Sequence, residues 1–204
     1  MSVPAKKIIL ASGSRSRRQM LEAAGLSFEV IPSQVDERAV RLAMEGDGDA
    51  IDPADLAEVL ARAKAEDVSR ERPDALVIGA DQVLALGDRI YEKPKDLAEA
   101  RLHIGSFRGQ AHALHSAVAL AIGGQTDWAH ADTALMTMRA FSEAFADQYV
   151  DRAGPVICSS VGAYQLEGLG IQLFERIDGD YFTILGMPLL PLLEELRNRG
   201  AIVA

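Results

Sequence analysis

A chain of 204 residues carrying a formal charge of -9 at pH 7 has no general basic face for a phosphate backbone, which excludes an ordinary nucleic-acid binder. Its hydrophobic residues make up 49% and its charged residues 25%, the balance of a globular domain rather than a disordered chain, and the length fits one domain over residues 1–204 with two lobes. One cysteine, Cys158, allows no internal disulfide, and no run approaches the ~20 apolar residues that cross a bilayer. The opening "MSVPAKKIILASGSRS" has too few apolar residues for a secretory core, so the expectation is a cytoplasmic protein with no membrane partner.

In chain order, "KIILA" at residues 7–11 reads as a short buried strand, and "SRRQMLEAAGL" from Ser16 as a helix ended near Gly25. Residues 12–15 then form a strand-to-helix turn. "SFEVIPS" alternates like a second strand and is followed by Asp36 and Glu37, read as an acidic pair in a loop. "DPADLAEVLARAKAEDVSRE" has Asp52 as helix cap, Pro53 at the first helical position, and Leu56, Leu60 and Lys64 on one face. "ALVIGADQVLAL" is the strongest strand, interrupted by Asp81 and Gln82, and Gly87-Asp88 turns it into "RIYEKP". A helix at "DLAEARLHIGSF", strands at "HALHSAVALAIGG" and "WAHADTALMTMRAF", and a helix capped by Ser142 follow. After the glycine-rich "VGAYQLEGLG" and "IQLFERIDGDYFTIL", a last helix lies between Pro188 and Gly200. Interleaved strands and helices without a linker predict an α/β domain with a mixed sheet.

The turn "SGSRSR" presents backbone N–H groups and the positive end of a helix dipole, a ready site for phosphate. Ser12 and Ser14 can donate to phosphate oxygens, Gly13 permits close approach, and Arg17 can grip in a bidentate manner. The same residues also suit a serine cap followed by solvated arginines. Neither a "GxxxxGK[ST]" nor a "GxGxxG" pattern is present. Asp81 in mid-strand must be paired, protonated or metal-bound, because burying a bare carboxylate is costly. With Glu37, Lys64 and Lys93 the chain offers carboxylates for a hard cation and cations for phosphates. His103, His112, His115 and His130 show no metal-binding spacing and read as structural or surface residues.

The ordered motifs "LASGSRSRRQMLEAAGLSFEVIPSQVDE", "LARAKAEDV", "VIGADQVLALGDRIYEKPKD" and "GAYQLEGLGIQLFERIDGDYFTILGMPL" resemble the Maf family of nucleotide pyrophosphatases over almost the whole chain. The resemblance implies a mixed, twisted sheet with flanking helices and two lobes around a cleft, of the Maf/ITPase kind. It also implies a possible homodimer and hydrolysis of nucleoside triphosphates to monophosphate and pyrophosphate, dependent on Mg²⁺ or Mn²⁺. Matched to the family's motifs, Ser12, Ser14 and Arg17 bind phosphate, and Asp81, Lys64 and Lys93 carry catalysis. Glu37 and Asp81 hold the metal. Base choice in the family is linked to the positions of Ser16, Gln82 and Glu167. Members resembling the dTTP/UTP enzymes have arginine, threonine and glutamine there. Those resembling the 7-methyl-GTP enzymes share the "DQV" strand and "EG" turn found here but have an aromatic residue at the place of Ser16. The implied substrate therefore leans towards 7-methyl-GTP, with a dTTP/UTP-type enzyme and a non-catalytic regulator of cell division as alternatives.

Overall fold

The computed structural model describes residues 7–45 and 51–203. Among them, strands β1 (Ile8–Leu10), β2 (Glu29–Val30), β3 (Leu76–Leu86), β4 (Arg89–Tyr91), β5 (Ala111–Ile122), β6 (Gln125–Met138) and β7 (Phe174–Asp178) form one sheet. Its order is β2-β1-β3-β5-β6-β7, with β4 paired to β3 off that path. The sheet is mixed, as the sequence predicted: β1 runs parallel to β2 and β3, while β3–β4 and β6–β7 are antiparallel. Helices α1 (Arg15–Ala23), α2 (Glu37–Glu45), α3 (Pro53–Glu71), α4 (Leu97–Phe107), α5 (Glu143–Ala153), α6 (Tyr181–Ile184) and α7 (Leu189–Asn198), with short 3-10 turns at Gly154–Ser159 and Leu169–Leu173, complete the described fold.

The chain divides into two compact units, the first comprising Met1–Gln82, Ser116–Asp132 and Tyr181–Ala204, the second Val83–His115 and Thr133–Asp180. In the first unit, strand alternation sends residues to two different layers. Ile8, Leu10, Leu76, Ile78 and Ala80 pack with Met20 and Leu21 of α1 and with Leu189, Leu192 and Leu196 of α7. Ile9, Ala11 and Val77 point the other way, against Val68 of α3. Residues of β3 thus alternate between an α1/α7 face and an α3 face. Gly79 belongs to the α3 row, and a Cβ there would stand 2.1 Å from the Ala61 carbonyl oxygen and 2.6 Å from the Ala65 nitrogen. Only glycine lets the helix backbone come this close to the strand.

The helix signals hold. Asp52 accepts from the amides of Ala54 and Asp55, with Pro53 in the first turn, and Ser142 caps α5 through the Phe145 amide. Two expectations fail locally. The second strand shrinks to two residues, since β2 pairs only through Ile9↔Glu29 and Leu10↔Val30 and then runs into Pro32, which has no N–H to give. The acidic pair is not a loop: Asp36 accepts from the Ala39 amide and Glu37 opens α2, so the pair caps and starts a helix.

In the second unit, Tyr91, His103, Phe107, His112, Tyr164 and Phe174 share an aromatic cluster in which the His112 ring stacks on Phe107 at 4.7 Å. The Tyr164 phenol bonds the His112 Nε2 at 2.8 Å. His130 pairs with Asp132 at the surface and His115 with Thr133, so the four histidines have packing or surface roles. No helix among the described residues is long and apolar enough to cross a membrane.

Candidate active site

Helix α1 starts where the sequence placed a cap. Ser14 is its N-cap, accepting from the Arg17 amide, and Arg15 occupies the first helical position. Ser12 is buried, and its oxygen accepts twice, from the Ser14 amide at 3.3 Å and from Arg17 Nη1 at 3.0 Å. With both lone pairs engaged, the Ser12 proton is the group left to donate outward. Ser14 and Ser16 differ. Their hydroxyls are 3.0 Å apart, and Ser16 donates to the Leu185 carbonyl at 3.2 Å. The proton of Ser16 is therefore spent on backbone, and Ser14 is the donor within the pair.

Arg17 is 8% exposed and does not offer the bidentate fork expected of it. Its Nε donates to the Gly186 carbonyl at 2.8 Å, and Nη1 donates to the Ala80 carbonyl at 2.9 Å as well as to Ser12. Two of the three guanidinium nitrogens are thus committed to the protein. Only Nη2 keeps N–H groups without a protein acceptor among the described residues, so one guanidinium nitrogen is left to donate elsewhere. Burial lowers its pKa, while Asp81 and Glu37 pull it back up.

On the other face of β3, next in the row after Gly79, lies Asp81. It is 6% exposed, and Lys64 Nζ of α3 reaches its Oδ1 at 2.5 Å and Glu37 Oε1 of α2 at 2.6 Å. The expected pairing of a buried carboxylate is therefore made, by the lysine that continued the apolar stripe of α3. Burial raises the Asp81 pKa, and Lys64 and Arg17 oppose the rise. Asp81 and Glu37, the expected metal ligands, face one ammonium, and among the described residues no three His, Cys, Asp or Glu side chains gather as a metal cage.

Gln82 points to the α1/α7 face, and here sequence reasoning missed partners. Its Nε2 donates to Ser116 Oγ at 3.0 Å and to the carbonyls of Thr183 and Ile184 at 3.1 and 3.0 Å. Ser116, fully buried in β5, itself donates to the Thr183 carbonyl at 2.7 Å. Four consecutive carbonyls, of Thr183, Ile184, Leu185 and Gly186, thus each accept from a side chain: Gln82 and Ser116, Gln82 again, Ser16 and Arg17. They lie at the end of α6, where carbonyls past the last helical turn take donors from elsewhere, and that of Thr183 also accepts from the Gly186 amide at 3.0 Å. The one signal for Ser116 was a hydroxyl inside the apolar run "HSAVALAI".

The structure brings Ser12, Ser14, Ser16, Arg17, Glu37, Lys64, Asp81 and Gln82 into the first unit. Lys93 and Glu167 belong to the second, Lys93 exposed between β4 and α4, and Glu167 exposed just ahead of the short 3-10 turn Leu169–Leu173.

The described residues thus form a mixed α/β fold with a hydroxyl-rich strand-to-helix turn, a buried arginine and a lysine-bridged carboxylate pair. The chain belongs to the Maf-like protein family, whose profile matches residues 7–199. It is 52% identical to the 7-methyl-GTP pyrophosphatase of Rhizobium meliloti (strain 1021), over 97% of this chain and 98% of that protein. The protein of the same name from Brucella suis biovar 1 (strain 1330) is 51% identical over 96% of this chain and 98% of its own length. The nucleoside triphosphate pyrophosphatase of Granulibacter bethesdensis is 49% identical, again over 96% of this chain and 98% of that protein.

Proposed function

We propose that this protein is a nucleoside triphosphate pyrophosphatase, releasing pyrophosphate and a nucleoside monophosphate, with a lean towards 7-methyl-GTP. The observation that carries this reading is the buried Asp81 carboxylate held by Lys64 in the unit that also carries the Ser12–Arg17 turn. The names of the relatives from Rhizobium and Granulibacter support it.

In the proposed reaction, the Asp81 carboxylate takes a proton from a water as its oxygen forms the new bond to the α-phosphorus. The bond between that phosphorus and the α–β bridging oxygen breaks, and pyrophosphate leaves with the electron pair. A carboxylate whose pKa is raised by burial is a better base than one in water. Lys64 keeps it ionised and oriented. The Ser12 hydroxyl and Arg17 Nη2 are the donors free to meet phosphate oxygens, and Lys93 is assigned to charge on the leaving group. Glu37 and Asp81 are two hard oxygen donors, and with phosphate oxygens they fit Mg²⁺ or Mn²⁺, which takes one or two carboxylates and fills its remaining positions from substrate and water. Such a cation would neutralise triphosphate charge.

The test is a panel of 7-methyl-GTP, GTP, dTTP, UTP, ATP and CTP with Mg²⁺ or Mn²⁺, assayed for pyrophosphate. Preference for 7-methyl-GTP supports the full proposal, and preference for dTTP or UTP overturns the base assignment while keeping the activity. Binding without pyrophosphate from any of them overturns the activity and favours a non-catalytic nucleotide-binding regulator.

A further inference from the structure

The geometry points to Ser116 as a positioning residue that fixes which end of the Gln82 amide meets the substrate, and so selects bases with a ring N–H at the centre of their pairing edge. The inference rests on the reading above, that the site takes a nucleoside triphosphate and that Gln82 meets the base.

The orientation of the amide is chemically forced. Two of the three groups around its inner end are the carbonyls of Thr183 and Ile184, which only accept, so the inner end must be the NH₂. Ser116 completes the arrangement. Its single proton goes to the Thr183 carbonyl at 2.7 Å, leaving its oxygen as the third acceptor for Nε2. Both amide protons are therefore consumed by the protein. Oε1, an acceptor with no protein donor among the described residues, is the only hydrogen-bonding group Gln82 has left.

Gly186 marks where that oxygen is turned. At φ +104 it carries no side chain, and a Cβ built there would lie 3.6 Å from Gln82 Oε1 and 3.5 Å from Arg17 Nη2. A free acceptor and a free donor therefore flank the same small space, each locked by contacts to the carbonyls of residues 183–186. A fixed acceptor favours guanine, 7-methylguanine, uracil and thymine, which carry a ring N–H at the centre of the pairing edge. Adenine and cytosine carry a ring nitrogen lone pair there, and two acceptors facing each other repel. A site committed to one polarity rejects the wrong edge far more strongly than a flexible one, because the mismatch leaves buried polar groups unpaired. An unanchored glutamine amide turns over and serves either edge.

The experiment compares kcat/KM for GTP and for ATP in the wild type, Ser116→Ala and Ser116→Thr. The expected result is a GTP-to-ATP ratio at least about 10-fold smaller in Ser116→Ala, through a lower KM for ATP and a higher one for GTP with kcat for GTP within a few-fold of wild type. Ser116→Thr, which keeps the hydroxyl, restores the ratio. A merely structural role would lower both substrates together and leave the ratio unmoved, and that result in a folded Ser116→Ala protein overturns the inference. If Ser116→Ala does not fold, Ser116→Cys keeps the volume with a far weaker hydrogen-bonding group and is read by the same ratio. Wild-type protein that releases no pyrophosphate at all refutes the proposed activity, whereas a wild type that hydrolyses ATP as well as GTP refutes the selection by Gln82 alone.

Discussion

Arg17 Nε donates to the carbonyl oxygen of Gly186 at 2.8 Å, joining residues 169 positions apart in the chain. With the bonds to Ala80 and Ser12, this makes Arg17 a strut as well as the residue proposed to meet phosphate. Lysine cannot span the same acceptors, having one point donor in place of a planar fork. Arg17→Lys should lower kcat/KM by about 10²-fold and also destabilise the fold by about 2 kcal/mol, since carbonyls of Ala80 and Gly186 lose their donor. Urea unfolding and steady-state kinetics on the same protein check both, and a Lys variant of wild-type stability would contradict the strut.

Asp81→Asn should leave nucleotide binding within a few-fold of wild type while reducing turnover by about 10²–10⁴-fold, the usual range for a lost general base. Calorimetric binding beside a pyrophosphate assay separates the two. Turnover above about a tenth of wild type would remove Asp81 from that role.

The Asp81 pKa is raised from the ordinary 3.8 by burial and pulled down by Lys64 and Arg17. As the proposed base, Asp81 must be ionised, so activity should fall as pH drops through a value above 3.8. For stability the sign is opposite: between 3.8 and the raised value the folded state keeps a proton that the unfolded chain has lost, so this group favours folding as pH falls there. Lys64→Gln removes an opposing charge and should move the acid limb of the kcat/KM profile to higher pH. An unmoved limb would show that the lysine does not set the ionisation of Asp81.

His112 acts in the opposite direction. Burial lowers its pKa from 6.5 to about 4, so the folded protein resists a proton that the unfolded chain accepts. Stability from this group is complete above 6.5 and is lost as pH falls towards 4, by about 3 kcal/mol in all. Chemical denaturation at pH 7 and pH 4.5 measures the loss. His112→Phe, which cannot be protonated, should flatten that slope.

At Gly79, alanine would drive a methyl into the Ala61 carbonyl at 2.1 Å. Gly79→Ala should cost about 3 kcal/mol or more by overpacking and should harm catalysis beyond its effect on the folded fraction, because α3 carries Lys64 past the same contact. Activity per folded molecule, from assays well below the melting midpoint, tests the second half.

Much of this arrangement was legible locally. Asp52, Pro53 and Ser142 announced their helices, and Asp81 and Lys64 stood out because a charge within an apolar pattern needs a partner, which each supplies to the other. What the sequence did not show is non-local or made of backbone. The carbonyls of residues 183–186 have no side-chain signature, so nothing near Arg17 or Gln82 announced that their nitrogens were already engaged. Ser116 was hidden by its apolar neighbours, and Glu37 was read as loop because an acidic pair suits a helix start as well as a solvated turn.

The row of four carbonyls also sets a timetable. As the chain is made, the serine turn, β3 and Ser116 all emerge before residues 183–186 do. Until then Arg17 has no acceptor at Gly186, and Gln82 has nothing from Thr183 or Ile184 to hold its nitrogen inward. Growing chains fold from the N-terminal side as units become available. A ribosome-bound chain stopped before this segment would therefore hold the serine turn, Arg17 and Gln82 without the carbonyls that align them.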